Sequence, residues 1–453
     1  MEFFHFTRKI CGGKLTPLFV AFFSFLSIFA IAKVYIDIES PEAKRIAIAV
    51  QSPIQMSEGS EDSDSVKFYL DTLRNDLDLS GLFAQIDEKA FLEQPSQELM
   101  QRENINFTQW SVIGSEALLK TGYWVTGTDM KVLVRLFDVL NGELLLGKTY
   151  ECPLSSAKYL AHRIANDVIK AFTGTDSFME TKIAFISNAA GKKEMYIMDI
   201  DGTNIRRITN HRSAVVSPSW NPGGTQILFT SYLRRNPDLY LYDFINGKMF
   251  TVSKREGLNI SGVFAPDGKR IALTLSQNGN PEIYIMDIGS GSLTQITHSW
   301  GIDVSPAFSP DGKQVAFVSD RSGTPQVFVM NSDGSNVKRL TFEGKYNASP
   351  RWSPDGKRIV FSRMAADNIN FKIFAMKPDG SESFQITNGP GSDENPSWAP
   401  DSRHILFNST RDGNSELYIT SITGKYLRRL TKTPYDETGP AWSPVIEFKI
   451  STR

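Results

Sequence analysis

The sequence predicts an α/β amino-terminal domain followed by an all-β six-bladed β-propeller. Two observations support this prediction: one strand-and-turn unit recurs six times in the second half of the chain, and helical and strand patterns alternate before it. The chain has 453 residues, 41% of them hydrophobic, which is enough for two or three cores. We place a leader at residues 1–32, the α/β domain at residues 33–175 and the propeller at residues 182–453.

The leader is interpreted as a signal peptide. Basic residues precede an uncharged run over residues 15–32, which ends in Ala30-Ile31-Ala32, the small-residue pattern that export peptidases cut. We therefore expect export and cleavage after Ala32. The alternative is a retained membrane anchor, because an uncharged run of this length is just long enough to span a bilayer.

Charge and cysteine content restrict the possible functions. The formal net charge of −1 at pH 7 provides no overall field that would gather nucleic acid. Only Cys11 and Cys152 are present, and Cys11 belongs to the leader, so we expect no internal disulfide. Cys152 could be a nucleophile, but an idle buried thiol is the expectation, because no histidine pairs with it in the sequence.

Alternating patterns predict the elements of the α/β domain. Apolar runs predict strands over residues 34–38 and 46–50. Apolar residues spaced by three and four predict helices from about residue 65 to 80 and from about residue 156 to 172, and Gly174 would end the second helix.

The sequence predicts a hairpin near the end of this domain and shows no catalytic or ligand-binding motif within the domain. Asn141-Gly142 lies between two strand-like runs and predicts a tight turn in which both residues have positive φ. The domain has no glycine-rich phosphate loop, no metal-ligand spacing and no nucleophile beside a base. Its only histidine, His162, is expected to be a packing or surface residue.

The repeat defines the propeller. Each unit ends a short strand in an aromatic residue and continues into a turn of the Pro-Asp-Gly type, and the successive aromatic residues are 44, 44, 44, 46 and 44 residues apart. Four predicted strands in such a period match one propeller blade. We expect the aromatic residues to pack blade against blade, and the turn aspartates to form turns rather than bind metal. The aromatic residues are Trp220, Phe264, Phe308, Trp352, Trp398 and Trp442.

The two ends of the repeat predict how the ring closes. Strand-like runs at residues 183–187, 194–199 and 207–209 come before the first complete unit and have no inner strand. Residues 440–444 provide an inner strand with no further strands after it. We therefore expect the carboxyl-terminal strand to complete the sixth blade, which would leave the ring without a free edge.

The mouth of the central channel is the candidate partner-binding site, because loops from every blade converge there. We interpret the residues just before each Pro-x-aromatic unit as loops that enter the innermost strands. They are polar and mildly acidic, which would suit hydrogen bonds to a polypeptide loop, although ordinary loop solvation is the alternative. The candidate residues are Asn259, Ile260, Ser261, Asp303, Val304, Ser305, Asn347, Asp393 and Glu394.

Two metal hypotheses arise from acidic residues. Residues 199–204 begin like a calcium loop but lack the glutamate that would end it, so we expect no calcium there. A propeller hydrolase would need acidic ligands that converge in the channel. The sequence has no Gly-x-Ser-x-Gly elbow, and a first domain of 143 residues is too short for an α/β-hydrolase. The channel candidates are Asp303, Asp393, Glu394 and Glu437.

The arrangement resembles the TolB family of periplasmic Tol-Pal proteins over the whole predicted mature chain. The residues that carry the resemblance are the strand at residues 33–38, the segments 325–328 and 339–344, and the terminal residues 440–444. The resemblance implies a periplasmic, non-catalytic adaptor that supports outer-membrane integrity and cell division. No cofactor and no nucleic acid are expected.

The resemblance also implies two partners. The channel mouth would bind the peptidoglycan-associated lipoprotein Pal, although Leu258 stands where family members often have a histidine. The first residues of the mature chain would contact an inner-membrane protein similar to TolA. Those residues are Lys33, Val34, Tyr35, Ile36, Asp37, Ile38 and Glu39.

Overall fold

The computed structural model describes residues 44–56, 63–364, 369–446 and 451–452. The predicted leader and the candidate residues 33–39 lie outside these ranges. All described residues belong to one compact unit. Among them, no helix combines the length and the apolar character that crossing a membrane requires.

The α/β domain packs two long helices against a mixed sheet. The helices are α1 (Ser63–Leu79), α2 (Phe107–Val112) and α3 (Ala157–Thr173). The strands are β1 (Ile46–Val50), β2 (Ile54–Gln55), β3 (Phe83–Gln85), β4 (Ala117–Thr126), β5 (Asp129–Asp138) and β6 (Leu144–Pro153). Short 3-10 helices occupy Glu88–Ala90, Gln97–Met100, Arg102–Asn104 and Leu154–Ser156.

The sheet follows the order β3-β1-β4-β5-β6, with β1 parallel to both of its neighbours. The periodicity that predicts α1 and α3 marks their buried faces: Leu73 on α1 and Ile164 on α3 are fully buried. Gly174 ends α3 with a φ of +76°, and its N–H bonds to the carbonyl of Lys170. The sequence did not predict β3, α2 or the last strand of this sheet, β31 (Ser451–Thr452), which pairs with β6.

The hairpin between β5 and β6 forms, but its predicted turn is wrong. The connection has five residues, and of Asn141 and Gly142 only Gly142 has a positive φ, at +65°. The Asp138 carboxylate accepts hydrogen bonds from the N–H groups of Leu140 and Asn141. This side chain stabilises the longer loop with a single left-handed residue, which replaces the two-residue turn.

The propeller has six four-stranded antiparallel blades. The complete blades, from the channel outward, are β10 (Val215–Trp220), β11 (Gln226–Ser231), β12 (Asp238–Asp243) and β13 (Lys248–Ser253); β14 (Asn259–Phe264), β15 (Arg270–Leu275), β16 (Glu282–Asp287) and β17 (Leu293–Gln295); β18 (Asp303–Phe308), β19 (Gln314–Ser319), β20 (Gln326–Asn331) and β21 (Lys338–Arg339); β22 (Asn347–Trp352), β23 (Ile359–Met364), β24 (Phe371–Met376) and β25 (Phe384–Gln385); and β26 (Asp393–Trp398), β27 (His404–Ser409), β28 (Glu416–Ser421) and β29 (Leu427–Arg429).

The sixth blade combines both ends of the propeller sequence. Its inner strand is β30 (Glu437–Trp442), which pairs with β7 (Lys182–Ser187), and β8 (Glu194–Asp199) and β9 (Arg206–Arg207) follow outward. The junction continues past β30, because the Lys182 N–H donates to Ser443 Oγ and the Ser443 N–H to the Lys182 carbonyl.

Each inner strand contains a bulge at its third residue. In β10, Val216 pairs with Thr230 and Ser219 with Leu228, so two residues of β10 face one residue of β11. The third residue of every inner strand has a φ between +51° and +57°, in the left-handed region that few side chains adopt. The bulge turns this residue toward the channel. The six residues are Ser217, Ser261, Ser305, Ser349, Asn395 and Gly439.

The α/β domain contacts the propeller at the end where the inner strands finish. In the linker that follows α3, Phe178 is fully buried and packs edge-on against Trp442 at 5.0 Å and against His404 at 4.6 Å between ring centroids. Gly81 has a φ of +66°, and a Cβ there would lie 3.0 Å from the Tyr426 ring. Among the described residues, the contacts of the α/β domain with the propeller lie at this end of the channel and not at the mouth.

A buried charge network joins α3 to the sixth blade. The Lys158 ammonium lies 2.7 Å from Asp199 and 3.1 Å from Asp201, and it also donates to Thr203 Oγ1. A lysine cation therefore occupies the loop that begins like a calcium site.

His162, one turn further along α3, is a buried packing residue with a charged partner. Its Nδ1 lies 2.5 Å from the Asp76 carboxylate of α1. Burial alone would lower the pKa of His162, but the Asp76 carboxylate raises it above its ordinary value.

Candidate functional site

Two cavities lie along the central channel. The mouth cavity, of about 470 Å³, is at the end where the inner strands begin. The far cavity, of about 320 Å³, is at the end where they finish, and it is lined by prolines and by aromatic residues of the repeat. The predicted packing role of those aromatic residues is confirmed: the Trp220 indole donates to the Ala441 carbonyl, and the Trp398 indole to the Arg351 carbonyl, each on an adjacent inner strand.

The wall of the mouth cavity is mostly polar and small. The third residues of the inner strands contribute hydroxyl and amide groups, and prolines follow them. The charged residues of the lining are Lys193, Arg351 and Glu394. Burial raises the pKa of Glu394, and the neighbouring Asp393 adds to this shift. A wall of this kind can hydrogen-bond to an inserted polar segment.

The structure divides the predicted mouth residues into two sets. They belong to the inner strands rather than to loops, and the first residue of each strand points into the junction between two blades. Asn259, Asp303, Asn347 and Asp393 are therefore fully buried. Half-buried positions are occupied by Ile260, Ser261, Val304, Ser305 and Glu394, and the cavity lining includes Ser261, Ser305 and Glu394.

The buried first residues connect neighbouring blades. Asn259, Asp303 and Asn347 each follow the first residue of the preceding blade's third strand by 21 residues, and Asp393 follows it by 22. At one junction the Asn347 amide donates to Gln326 Oε1 at 2.9 Å. At the next, Asp393 forms ion pairs with Lys372 at 3.3 Å and with Arg411 at 2.9 Å. These groups stabilise the ring and are not accessible to a partner.

Two junctions bring buried carboxyl groups together. Glu282 and Asp303 form one pair, and Glu416 and Glu437 form the other. Burial raises the pKa of Asp303 to about 6; Ser319 and Arg321 oppose this shift, whereas the charge of Glu282 adds to it. The pKa of Glu437 is also raised, first by burial and then by Glu416. Burial and the neighbouring acid therefore both favour the protonated form of Asp303 and of Glu437 more than in the unfolded chain.

Replacement of Asp303 by Asn is expected to make the protein less sensitive to pH. A raised folded-state pKa contributes stability that is complete below about pH 4 and is lost as the pH rises through 6. Between pH 5 and pH 8 the wild type should lose about 1–1.5 kcal/mol of unfolding free energy relative to Asp303→Asn. Urea unfolding at both pH values measures this difference.

Asp393→Asn is the matched control, because Asp393 occupies the same strand position between two cations instead of beside an acid. It should destabilise the protein at both pH values, since Lys372 and Arg411 would lose their carboxylate. A pH-independent difference between wild type and Asp303→Asn would show that Asp303 and Glu282 are not proton-linked.

The structure does not bring together the acidic ligands that a channel hydrolase would need. Asp303, Asp393 and Glu437 lie in three different blade junctions, and only Glu394 lines the mouth cavity. Within the described ranges, no three His, Cys, Asp or Glu side chains are grouped closely enough to hold a metal ion. Burial also raises the pKa of Cys152 to about 11, which disfavours the reactive thiolate.

Sequence reasoning missed a set of exposed apolar residues in three of the loops at the mouth end of the propeller. They lie in loops that lead from an outer strand to the next inner strand, and Trp300 is 78% exposed and Phe342 73% exposed. The sequence feature that could have revealed them is an aromatic residue within a segment otherwise typical of a polar turn. We call this set the mouth collar: Trp300, Ile302, Phe342, Tyr346 and Tyr435.

Comparisons with known proteins agree with this architecture. A family model described as the TolB beta propeller domain matches residues 169–446, and one described as the TolB amino-terminal domain matches residues 34–145. The crystal structure of TolB from Acinetobacter baumannii superposes with a TM-score of 0.79 and 26% identity, covering 88% of this chain and 97% of that one.

Curated relatives match over part of their length. The Tol-Pal system protein TolB of Syntrophotalea carbinolica is 40% identical over 193 residues, which is 43% of this chain and 45% of that protein. The protein of the same description from Geobacter sulfurreducens is 37% identical over 194 residues, covering 43% of this chain and 44% of that protein. These alignments span less than half the length of either relative.

Proposed function

The chain belongs to the TolB family, and from this premise we propose that it is a non-catalytic periplasmic adaptor of the Tol-Pal envelope system. In this proposal the propeller mouth binds a peptidoglycan-associated lipoprotein of the Pal type. The segment from Lys33 to Glu39 would bind an inner-membrane protein similar to TolA. The adaptor would thereby support outer-membrane integrity and cell division.

The mouth collar is the observation that carries the proposal. Soluble proteins rarely leave several large apolar side chains exposed around one cavity unless the surface binds a partner. Aromatic residues such as Trp300 and Phe342 provide much of the binding energy at protein interfaces. The described residues of the α/β domain contact the opposite end of the channel, so a folded partner can approach the mouth without displacing them.

The interior of the mouth supports binding rather than catalysis. Its half-buried hydroxyl and amide groups, including Ser261, Ser305 and Asn395, can form hydrogen bonds with an inserted loop. Three of the four acids considered for a hydrolase serve blade junctions instead. The proposed site therefore combines an apolar rim for affinity with a polar centre for orientation.

Replacing Trp300 or Phe342 by Ala is expected to weaken binding of the Pal-type lipoprotein. Each substitution removes an exposed aromatic side chain from the collar without opening the core, so folding should be unaffected. Truncation of an aromatic interface residue that anchors binding costs about 2 kcal/mol, or roughly a 30-fold rise in Kd. Calorimetry with the purified periplasmic domain of the lipoprotein from the same organism measures the effect.

Leu140→Ala provides the matched control. Leu140 is 92% exposed, but it belongs to the β5–β6 connection of the α/β domain. This variant should bind the lipoprotein like the wild type. Wild-type affinity in both collar variants, or no measurable binding by the wild-type protein, would contradict the proposed site.

A further inference from the structure

One inner-strand position differs from its five equivalents. The fifth residue of each inner strand lines the far cavity, and five of the six side chains are small. The fourth blade has Arg351 instead, and this side chain lines both the mouth cavity and the far cavity. Ser219 and Val263 also line the mouth cavity. The six residues are Ser219, Val263, Ala307, Arg351, Ser397 and Ala441.

The Arg351 guanidinium has a neutral partner where other interior arginines have acids. Its Nη1 donates to the main-chain carbonyl of Pro350 at 2.9 Å. Among the ion pairs of the described ranges, Arg321 pairs with Asp303, Arg411 with Asp393 and Arg429 with Glu416, but none includes Arg351. Arg351 therefore lacks the carboxylate partner that balances the charge of each of these other arginines.

Electrostatics make this position favourable for an anion. Burial lowers the pKa of Arg351 to about 10, so the guanidinium is still charged at neutral pH. Arg351 is half-buried, and a guanidinium partly removed from water without a counter-charge is destabilising. A carboxylate offsets this cost best because it matches the guanidinium fork with two parallel hydrogen bonds.

The surroundings of Arg351 can accept such an anion. Ser217, Ser261, Ser305 and Ser349 line the same cavity, and their hydroxyl groups can donate hydrogen bonds to a carboxylate. Lys193 is a second cationic residue of the cavity lining, and Glu394 is the one acidic residue of the lining. The cavity volume of about 470 Å³ falls within the range of ~300–1,000 Å³ that is usual for ligand pockets.

We propose that Arg351 binds a carboxylate that enters the channel from the mouth. The chemistry is the same for a small free carboxylate and for an acidic side chain or carboxyl terminus of a polypeptide. The polypeptide source rests on the proposed adaptor function, because a lipoprotein bound at the collar would lie directly above the cavity. The carboxylate site itself does not depend on that function.

The carboxylate site is tested first with a small probe. Sodium propionate should raise the thermal unfolding temperature of the mature wild-type protein, whereas uncharged propionamide at the same concentration and ionic strength should not. Arg351→Gln should remove the propionate effect, and Arg351→Lys should keep part of it. Arg358→Gln is the control, because Arg358 belongs to the same blade but stacks on Phe384 and lies outside both cavity linings.

The lipoprotein domain distinguishes the two sources of the carboxylate. If the propionate effect depends on Arg351 and Arg351→Gln weakens lipoprotein binding by tenfold or more, the polypeptide supplies the carboxylate. If the propionate effect depends on Arg351 but lipoprotein binding is unchanged or undetectable in both proteins, the ligand is a free carboxylate. An equal effect of propionate and propionamide, or an unchanged propionate effect in Arg351→Gln, overturns the proposal regardless of lipoprotein binding.

Discussion

Trp442→Ala is expected to lower the free energy of unfolding by about 3–5 kcal/mol, the range for removing a large buried aromatic side chain. Trp442 is 6% exposed and ends the strand that closes the ring. Its ring packs against Phe178, and its indole N–H donates to Thr181 Oγ1 at 2.8 Å. The substitution would therefore weaken the ring closure and the contact between domains together.

Urea unfolding measures the loss, with Trp352→Ala as the control. Trp352 occupies the equivalent position in the fourth blade, but it is half-buried, and its indole nitrogen has no hydrogen-bond partner within the described ranges. Trp352→Ala should cost clearly less than Trp442→Ala. An equal decrease in unfolding free energy in the two variants would mean that the contact of the closing strand with the linker adds no stability beyond that of an ordinary inner-strand tryptophan.

Lys158→Met is expected to cost about 3–5 kcal/mol, because removing one partner from a buried ion pair leaves a charge without compensation. The Asp201 carboxylate would lose its cation, while Asp199 would keep Lys182 at 2.5 Å. The lost stability should come from a weaker contact between α3 and the sixth blade. Susceptibility of the linker near residue 178 to proteolysis should therefore increase.

Lys170→Met is the matched control on the same helix. Lys170 pairs with Asp176, but both side chains are about half exposed, and such surface pairs contribute about 0.2–1 kcal/mol. The double substitution Lys158→Met with Asp201→Asn should recover part of the lost stability. If Lys158→Met costs no more than Lys170→Met, the buried network does not hold the domains together.

These two positions bear on function because they determine how the domains are connected. Trp442 and Lys158 both act at the end of the propeller opposite the mouth collar. A partner bound at the mouth would therefore leave the contacts between the two domains in place. Variants at the interface and at the collar should affect different measurements: unfolding free energy in the first case and partner affinity in the second.

The hairpin and the blade junctions show where sequence reasoning failed. The Asn141-Gly142 pair predicts a two-residue turn, but the Asp138 side chain stabilises a longer loop. The residues before each Pro-x-aromatic unit look like solvated loop residues, yet the first of them points into a junction. A bulge two residues later, with a φ near +55°, reverses which residues face the channel.

The sequence by itself determined the six blades, the closing strand and the two long helices of the α/β domain. A period of about 44 residues, the turn chemistry and the spacing of apolar side chains are local properties that depend on neighbouring residues. Only the tertiary structure decided which polar groups meet across blades, and that Lys158 fills the loop that begins like a calcium site. Burial and charge balance between distant segments control these contacts, and neither can be read from spacing along the chain.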